Sequence, residues 1–316
     1  MRIPNLSMRL AALVWILMAG ALAGCTSART FADRPLAVID ALVHTSFDDV
    51  AFPASRVMFS QAELAAEMRR HHVVGAVAMD RPGERAADLS GLDVVRCAGV
   101  AGPRDIAAAG AGLAAKAYRC VTIYLGYAER YAYDPAYEPV YGLAEKYHVP
   151  VVLYFGGSNR KVIEPRTVER VVRSHRDVTF VLAHAADPRT IAQRERDGFL
   201  RKGVPPNLLS IAYETMLSAE VAADNPNVVL DGSGLLIGDL RDEPPGQIEA
   251  YLERPVREAF AKVGPAKLMF ATGWPVTPVG PYLEAFKRAI PPRDWPAVFH
   301  DNAARVYGFA APPPAR

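Results

Sequence analysis

The stretch that decides the fold is Val38–His44, which reads VIDALVH. Its apolar residues are typical of a buried strand, and a histidine stands at its carboxyl end. A continuous apolar run, rather than an alternating one, is typical of a parallel strand that is covered on both faces. The stretch therefore predicts a strand inside a layered α/β fold, and His44 becomes the first candidate for a functional side chain.

Seven further apolar runs follow the first, and helix-like stretches separate them. The eight predicted strands are Leu36–His44, Val73–Met79, Val94–Val100, Cys120–Leu125, Val151–Gly156, Thr179–His184, Val228–Ser233 and Leu268–Gly273. Eight strand–helix units over about 280 residues match the size of a (β/α)8 TIM barrel. A doubly wound open sheet is the alternative, but no G-x-G-x-x-G follows the first strand. We predict an α/β (β/α)8 barrel as a single domain over residues 35–309.

The first 24 residues are predicted to be a secretory signal peptide. Arg2 and Arg9 precede the apolar stretch Leu10–Leu22, which is shorter than a membrane span requires. Leu-Ala-Gly-Cys then ends at Cys25 and resembles the lipobox of bacterial lipoproteins. That resemblance implies cleavage before Cys25 and a lipid on its sulfur; an uncleaved N-terminal anchor is the alternative.

A lipid on Cys25 would tether the mature protein to a membrane. Residues 25–34 would be the tether, and Thr26 after the cysteine implies an outer-membrane protein that faces the periplasm. At the other end, residues 310–316 are rich in alanine and proline, and we predict a disordered tail.

Composition narrows the class of partner. The 316-residue chain is 51% hydrophobic and 22% charged, with a formal net charge of +2, which indicates no nucleic-acid partner.

Cys97 and Cys120 each stand in an apolar run. An oxidising compartment permits a disulfide between them, although buried free thiols are the commoner outcome for such positions.

Barrel enzymes carry their chemistry at the carboxyl ends of the strands. The candidate residues at these ends are His44, Thr122, Tyr124, Tyr154, His184, Asp231, Ser233 and Trp274. His184 is a candidate base or polar anchor, and Asp231 is a candidate carboxylate to orient it. A nucleophilic trio of Ser233, His184 and Asp231 is a further alternative. The tyrosines either fill the top of the barrel or contact a ligand, and Trp274 is either a pocket wall or a core aromatic.

Five stretches resemble the amidohydrolase-related family, a branch of the amidohydrolase superfamily that includes small-acid decarboxylases and lactone hydrolases. They are VIDALVH (38–44), IYLGYAERYAYDPAYEPVYGLAEKYHVPVVLYFGG (123–157), VTFVLAH (178–184), NVVLDGSGLLIG (227–238) and LMFATGWPVT (268–277). The closing VFHDNAARVYG is similar to the C-terminal helix of that family, whose asparagine matches Asn302. The resemblance implies a barrel with a divalent metal, usually zinc. Its ligands would be two histidines of the first strand, a histidine of the fifth and an aspartate of the eighth.

Matched position by position, three of those four ligands are replaced, by Leu42, Tyr154 and Gly273. His44 is retained as the residual candidate ligand, and a lysine that some branches carry on the fourth strand falls at about Thr122. The assisting histidine of the sixth strand is retained as His184. A catalytic zinc needs about three protein ligands. The resemblance therefore implies a barrel with a degenerate metal site.

Three functions follow from these observations. The first is a pseudoenzyme without a cofactor, which binds a small carboxylate or aromatic ligand, or a protein partner, at the barrel mouth. The alternative is an active hydrolase or decarboxylase with an altered site of His44, His184 and Asp231, and only this alternative calls for zinc. A purely structural envelope protein is the third.

Overall fold

The strands of the protein follow one another around a single parallel sheet. The computed structural model describes residues 36–44, 61–79, 91–127, 130–155, 165–184, 209–210, 215–237, 240–241, 245–274 and 277–310. Its strands are β1 Val38–Val43, β2 Val73–Met79, β3 Asp93–Val100, β4 Cys120–Ile123, β5 Val151–Tyr154, β6 Phe180–Ala183, β7 Leu209–Ser210, β8 Val228–Asp231, β9 Leu236–Ile237 and β10 Leu268–Met269. Eight of them pair in parallel in the order β1-β2-β3-β4-β5-β6-β8-β10, and β7 pairs with β9 in an antiparallel pair.

Backbone hydrogen bonds close the sheet between its first and last strands. The amide of Ala41 donates to the carbonyl of Phe270 at 3.0 Å, and the amide of Gly273 donates to the carbonyl of Leu42 at 2.9 Å. The amide of His44 donates to the carbonyl of Trp274 at 2.8 Å. The predicted (β/α)8 barrel is therefore confirmed, and the open-sheet alternative is wrong because the edge strands bond to each other.

Helices cover the outside of the barrel. The helices of the described residues are α1 Gln61–Arg70, α2 Ile106–Ala114, α3 Glu138–Tyr147, α4 Glu169–Ser174, α5 Thr215–Asp224, α6 Pro245–Ile248, α7 Arg254–Val263, α8 Val279–Ala289 and α9 Asn302–Tyr307. Two π-helical turns, Glu249–Glu253 and Ala297–Asp301, precede α7 and α9. Within these described segments, no helix has the length and apolar character needed to cross a membrane.

Local sequence explains where these elements begin and end. The carboxylate of Asp134 accepts a hydrogen bond at 2.9 Å from the amide of Ala136, and this cap starts the turn that leads into α3. The helix ends at His148, whose φ of 52° is left-handed and cannot continue a right-handed helix. The side-chain amide of Asn302 donates to the carbonyls of Pro265 and Leu268, at 2.6 and 2.9 Å. That residue thus fastens α9 to the last strand of the barrel.

Side chains alternate between two apolar layers along each strand. Outward residues such as Val121, Leu153 and Leu230 pack in the layer under the helices. Inward residues form a second cluster inside the barrel: Ile39, Ala41, Leu42, Val77, Met79, Val95, Cys97, Cys120, Tyr124, Val152, Tyr154, Val181, Ala183, Val229, Met269 and Ala271. Ala303, Tyr307 and Phe309 of the C-terminal segment join this cluster. The interior is therefore a packed core, with its polar side chains near the carboxyl ends of the strands.

Cys97 and Cys120 form a disulfide bond inside the barrel. The two residues are register partners on β3 and β4, both point inward, and neither is exposed to solvent. The expectation of free thiols was wrong because the register of the two parallel strands places the two Cα atoms 4.4 Å apart, within reach of a disulfide. Their burial was predicted correctly. The predicted signal peptide, the tether with Cys25 and residues 311–316 lie outside the described residues.

Candidate functional site

A bulge at the end of β1 sets the direction of its last side chains. One carboxylate oxygen of Asp40 accepts from the amides of Leu42 and Thr272, at 3.2 and 3.0 Å, and the other accepts from the Thr272 hydroxyl at 2.7 Å. The β1–β2 register shifts between Asp40 and Val43. Ala41 and Leu42 consequently both join the interior cluster. Sequence reasoning missed Asp40, although a buried acid in an apolar strand is itself a signal.

Burial raises the pKa of Asp40 to about 7, and the hydrogen bonds from Thr272 and Leu42 oppose that rise. The carboxyl group touches only the backbone and one hydroxyl of the barrel wall in these contacts. Asp40 therefore joins the first strand to the last. It shapes the site but does not face into it.

Tyr154 lies between the two histidines that the family resemblance singles out. Its hydroxyl is 3.2 Å from Nε2 of His44, and both side chains are buried. Its ring packs edge-on against His184, with ring centroids 4.6 Å apart and planes at 89°. The structure thus brings together three predicted site residues, and a phenol joins the two imidazoles.

The positions of the other two replaced ligands are also unsuited to hold a cation. Leu42 is fully buried and presents only apolar surface. Gly273 has a φ of 74°, a conformation that residues with a Cβ rarely adopt. A Cβ built on Gly273 would lie 3.6 Å from Cε1 of His184, which puts this position beside the same imidazole.

The donor set does not fit the family's divalent metal. His44 and His184 supply imidazoles, but neither Leu42 nor Gly273 supplies a ligand, and the Tyr154 hydroxyl already contacts Nε2 of His44. Over the described ranges, no group of three His, Cys, Asp or Glu side chains is placed to hold a metal ion. The family's aspartate position is Gly273, so the matched ligand set lacks the carboxylate that would neutralise a dication.

Asp231 and Ser233 contact the backbone of His184 rather than its ring. The His184 amide lies 3.4 Å from Oδ1 of Asp231 and 3.3 Å from the hydroxyl oxygen of Ser233. The amide of Ser233 donates to the same Oδ1 at 2.9 Å, and its hydroxyl donates to it as well. Asp231 is thus bonded to the main chain of His184, whereas an orienting carboxylate would bond to the ring. A nucleophilic trio requires serine on the imidazole, so this arrangement does not form one.

Burial raises the pKa of Asp231 to about 6, and hydrogen bonds from Ser233 and the His184 amide oppose the rise. Asp231 therefore remains mainly ionised at neutral pH.

Gly234, which sequence reasoning missed, leaves room for the imidazole of His184. A Cβ there would meet Nδ1 of His184 at 2.1 Å, so only glycine lets the imidazole lie against this turn. The Asp-Gly-Ser-Gly run was the available signal.

The fourth strand supplies an aromatic wall. The Tyr124 hydroxyl donates to the carbonyl of Met79 at 3.1 Å, and its ring centroid is 5.0 Å from that of Tyr154. Thr122 lies deeper, and its hydroxyl contacts the sulfur of Met79 at 3.0 Å. Tyr127, which sequence reasoning also missed, is 50% exposed and lies nearly parallel to Tyr154, with centroids 6.3 Å apart.

Trp274 belongs to the apolar layer under the helices, apart from the interior cluster. Its backbone, rather than its indole, meets the first strand, through a bridge to Val43 and the bond from His44. Of the two alternatives for this residue, the placement agrees with a core aromatic.

Comparison with known proteins agrees with this architecture. The sequence profile of the amidohydrolase family matches residues 28–309. No curated protein matches the chain. The structure is similar to 5-carboxyvanillate decarboxylase from Sphingomonas paucimobilis, with a TM-score of 0.57 and 16% identity over 87% of this chain and 100% of that one.

Two further solved structures carry a metal in their own sites. An amidohydrolase from Burkholderia multivorans with bound zinc has a TM-score of 0.59 and 17% identity, over 86% of this chain and 99% of that one. A 5-carboxyvanillate decarboxylase from Novosphingobium aromaticivorans with bound manganese has a TM-score of 0.57 and 12% identity, over 89% and 99%. Similarity at these identities shows the barrel fold alone. Because the family profile spans most of the sequence, the chain belongs to the amidohydrolase family.

Proposed function

We propose that this amidohydrolase-family protein is a pseudoenzyme, whose barrel mouth binds a small molecule instead of a catalytic metal. The contact between the Tyr154 hydroxyl and Nε2 of His44 carries the proposal. Nε2 either accepts from the phenol or donates to it, and in neither case does it offer a free lone pair to a cation. The phenol also occupies space between the two retained imidazoles. Leu42, Tyr154 and Gly273 replace three of the family's four ligands, including the aspartate that would help to balance a dication.

The ligand we propose is a small ring compound. Three tyrosines line the fourth and fifth strand ends, with ring centroids 5.0 to 6.4 Å apart, and aromatic walls favour flat apolar ligands. Two other occupants of the mouth are possible in this proposal: a small ligand that carries a carboxylate, and a protein partner. Binding measurements distinguish them from an apolar ring compound.

Metal analysis of the purified full chain tests the proposal. We expect far less than one zinc or manganese per chain after dialysis, and no change in metal content in a His44→Ala variant. About one tightly held ion per chain that is lost with H44A would overturn the proposal, because a catalytic site holds such an ion in its ligand set.

An active hydrolase or decarboxylase is the second candidate, favoured by the retention of His44 and His184 at the strand ends. Its chemistry would depend on an imidazole that titrates near neutrality. Turnover of small aromatic acids or lactones by the wild-type chain, abolished by His184→Asn, would favour this candidate over the pseudoenzyme.

For location we propose the bacterial cell envelope, with a lipid on Cys25 that anchors the protein to the outer membrane. The buried Cys97–Cys120 disulfide supports an oxidising compartment, where such bonds persist. Metabolic labelling with a fatty acid should mark the wild-type chain but not a Cys25→Ser variant. Equal labelling of both would contradict the anchor.

A further inference from the structure

Asp231 carries a buried oxygen that its neighbours leave unsatisfied. Along β8, Val229 belongs to the interior cluster and Leu230 to the outer one, so Asp231 points into the barrel. Its Oδ1 takes the hydrogen bonds from Ser233 and His184. Its Oδ2 is buried and meets no hydrogen-bond donor among the residues that the structure describes. A buried acceptor of this kind is costly unless a partner satisfies it.

Three tyrosines form an aromatic box at the mouth: Tyr124, Tyr127 and Tyr154. The ring centroids of Tyr124 and Tyr154 are 5.0 Å apart, and those of Tyr127 and Tyr154 are 6.3 Å apart with planes at 24°. Tyr127 is half exposed and Tyr154 is buried, so the box leads from the surface toward the interior. Tyrosine rings at these separations can pack edge-to-face or offset against the ring of a flat aromatic ligand.

Asp231 and the aromatic box lie at the same level of the barrel. Tyr154 is the register partner of Ala183 on β6, and the next residue pair, Leu182 with Leu230, sets Ala183 level with Asp231. His184 connects the two features, since its ring packs on Tyr154 and its amide contacts Asp231.

A small residue stands on the side of Asp231 that leads toward the aromatic box. Ala183 on β6 is level with Asp231 and belongs to the interior cluster, and a Cβ on Gly273 would meet no atom closer than 3.6 Å. Met269, a large interior residue, is the register partner of Asp231 on β10, the neighbouring strand on the side away from β6.

We infer that the barrel mouth binds a small aromatic amine, whose ammonium group donates to Oδ2 of Asp231 while its ring packs in the aromatic box. The inference rests on the proposed function, because it takes the barrel mouth to be free of a catalytic metal. An ammonium satisfies the buried oxygen with a charge-assisted hydrogen bond. A benzoate-like anion would instead face a like charge. The raised pKa of Asp231, about 6, still leaves the group ionised at neutral pH.

Calorimetry on the full chain at pH 7.5 tests the inference with three ligands of similar size: benzylamine, benzyl alcohol and benzoate. We expect benzylamine to bind at least about tenfold more tightly than either of the others, which corresponds to one charge-assisted hydrogen bond. Equal or tighter binding of benzyl alcohol or benzoate, or no binding of benzylamine, overturns the inference.

Two variants locate the site. Asp231→Asn should abolish the preference for benzylamine over benzyl alcohol. Because Oδ1 of Asp231 also holds the backbone, Tyr127→Ala provides an independent check on a half-exposed ring. It should weaken benzylamine several-fold, while Val74→Ala, on an exposed residue at the amino end of β2, should not. Equal affinities in the Y127A and V74A variants overturn the inference.

Metal analysis of the same preparation separates the inference from the proposed function. A metal-free chain that fails to bind benzylamine overturns only the inference. A chain that holds one tightly bound metal overturns the proposed function, whatever its affinity for the amine.

Discussion

The hydroxyl of Tyr154 lies 3.2 Å from Nε2 of His44, across the barrel interior from strand five to strand one. This contact engages one ring nitrogen of the histidine that matches a metal ligand in the family resemblance. It also fixes the tyrosine ring against His184, so one residue connects both retained histidines. The arrangement makes the tyrosine part of the packed interior, and its loss should be measurable as stability.

Tyr154→Phe removes the hydroxyl from this buried pair. We expect the free energy of unfolding to fall by about 1 kcal/mol, the usual net contribution of one hydrogen bond. Urea denaturation measures the change. Tyr147→Phe is the matched control, because that side chain is partly exposed and its hydroxyl makes no hydrogen bond among the described residues, so its unfolding should be unchanged within error. Similar losses in the two variants would contradict the assigned contact.

Gly273→Ala tests whether this position accepts a side chain. Its φ of 74° disfavours any residue with a Cβ, so we expect a loss of about 1–2 kcal/mol in the free energy of unfolding. Gly142→Ala in α3 should instead raise it by about 0.5–1 kcal/mol, because Gly142 is within a helix and a Cβ there meets nothing within 4 Å. Stabilisation in both variants would show that the backbone at Gly273 is not strained by a side chain.

The buried carboxyls predict that the protein is more stable in mild acid. Burial raises the pKa of Asp40 from 3.8 to about 7 and that of Asp231 from 3.8 to about 6. At pH values between 3.8 and about 7, the folded state thus binds more protons than the unfolded state. The free energy of unfolding therefore falls as the pH rises from about 4 to about 7. Melting temperatures at pH 5 and pH 8 measure the difference.

Asp40→Asn is the control for this pH dependence. Its amide oxygen can still accept from the Leu42 and Thr272 amides, and its NH2 can donate to the Thr272 hydroxyl. The variant should therefore fold and show a smaller difference between pH 5 and pH 8. A wild-type protein that is more stable at pH 8 than at pH 5 would contradict the raised pKa values.

The disulfide predicts a defined cost for its removal. Cys97→Ala together with Cys120→Ala should lower the free energy of unfolding by about 3 kcal/mol, since the bond closes a loop of intermediate length. Denaturant unfolding measures the loss. In the wild-type chain, alkylation in denaturant without reductant should leave both cysteines unlabelled. Two labelled thiols in protein taken from an oxidising compartment would rule out the pairing.

Local pattern was enough to predict the barrel. Each strand is a short apolar run between helical segments. A strand that is buried on both faces of a parallel sheet can be identified from its own residues, without knowing which strands pair with it. The same pattern placed His44, Tyr154 and His184 at strand ends, and the structure gathers them because all eight strands end on one face. Gly234 and Tyr127 were missed, since one acts through the absence of a Cβ and the other through exposure, which residue type alone does not reveal.

The sequence by itself determined the eight-stranded barrel and the burial of Cys97 and Cys120, and it places Leu42, Tyr154 and Gly273 at the positions where the family resemblance expects ligands. Only the tertiary structure decided that the two cysteines pair, that Asp231 bonds to the backbone of His184, and that Tyr154 contacts His44. These outcomes depend on the register between strands and on the bulge at Asp40, which rotates side chains from one face of a strand to the other. Register arises from the packing of the whole barrel, and no single stretch of sequence contains it.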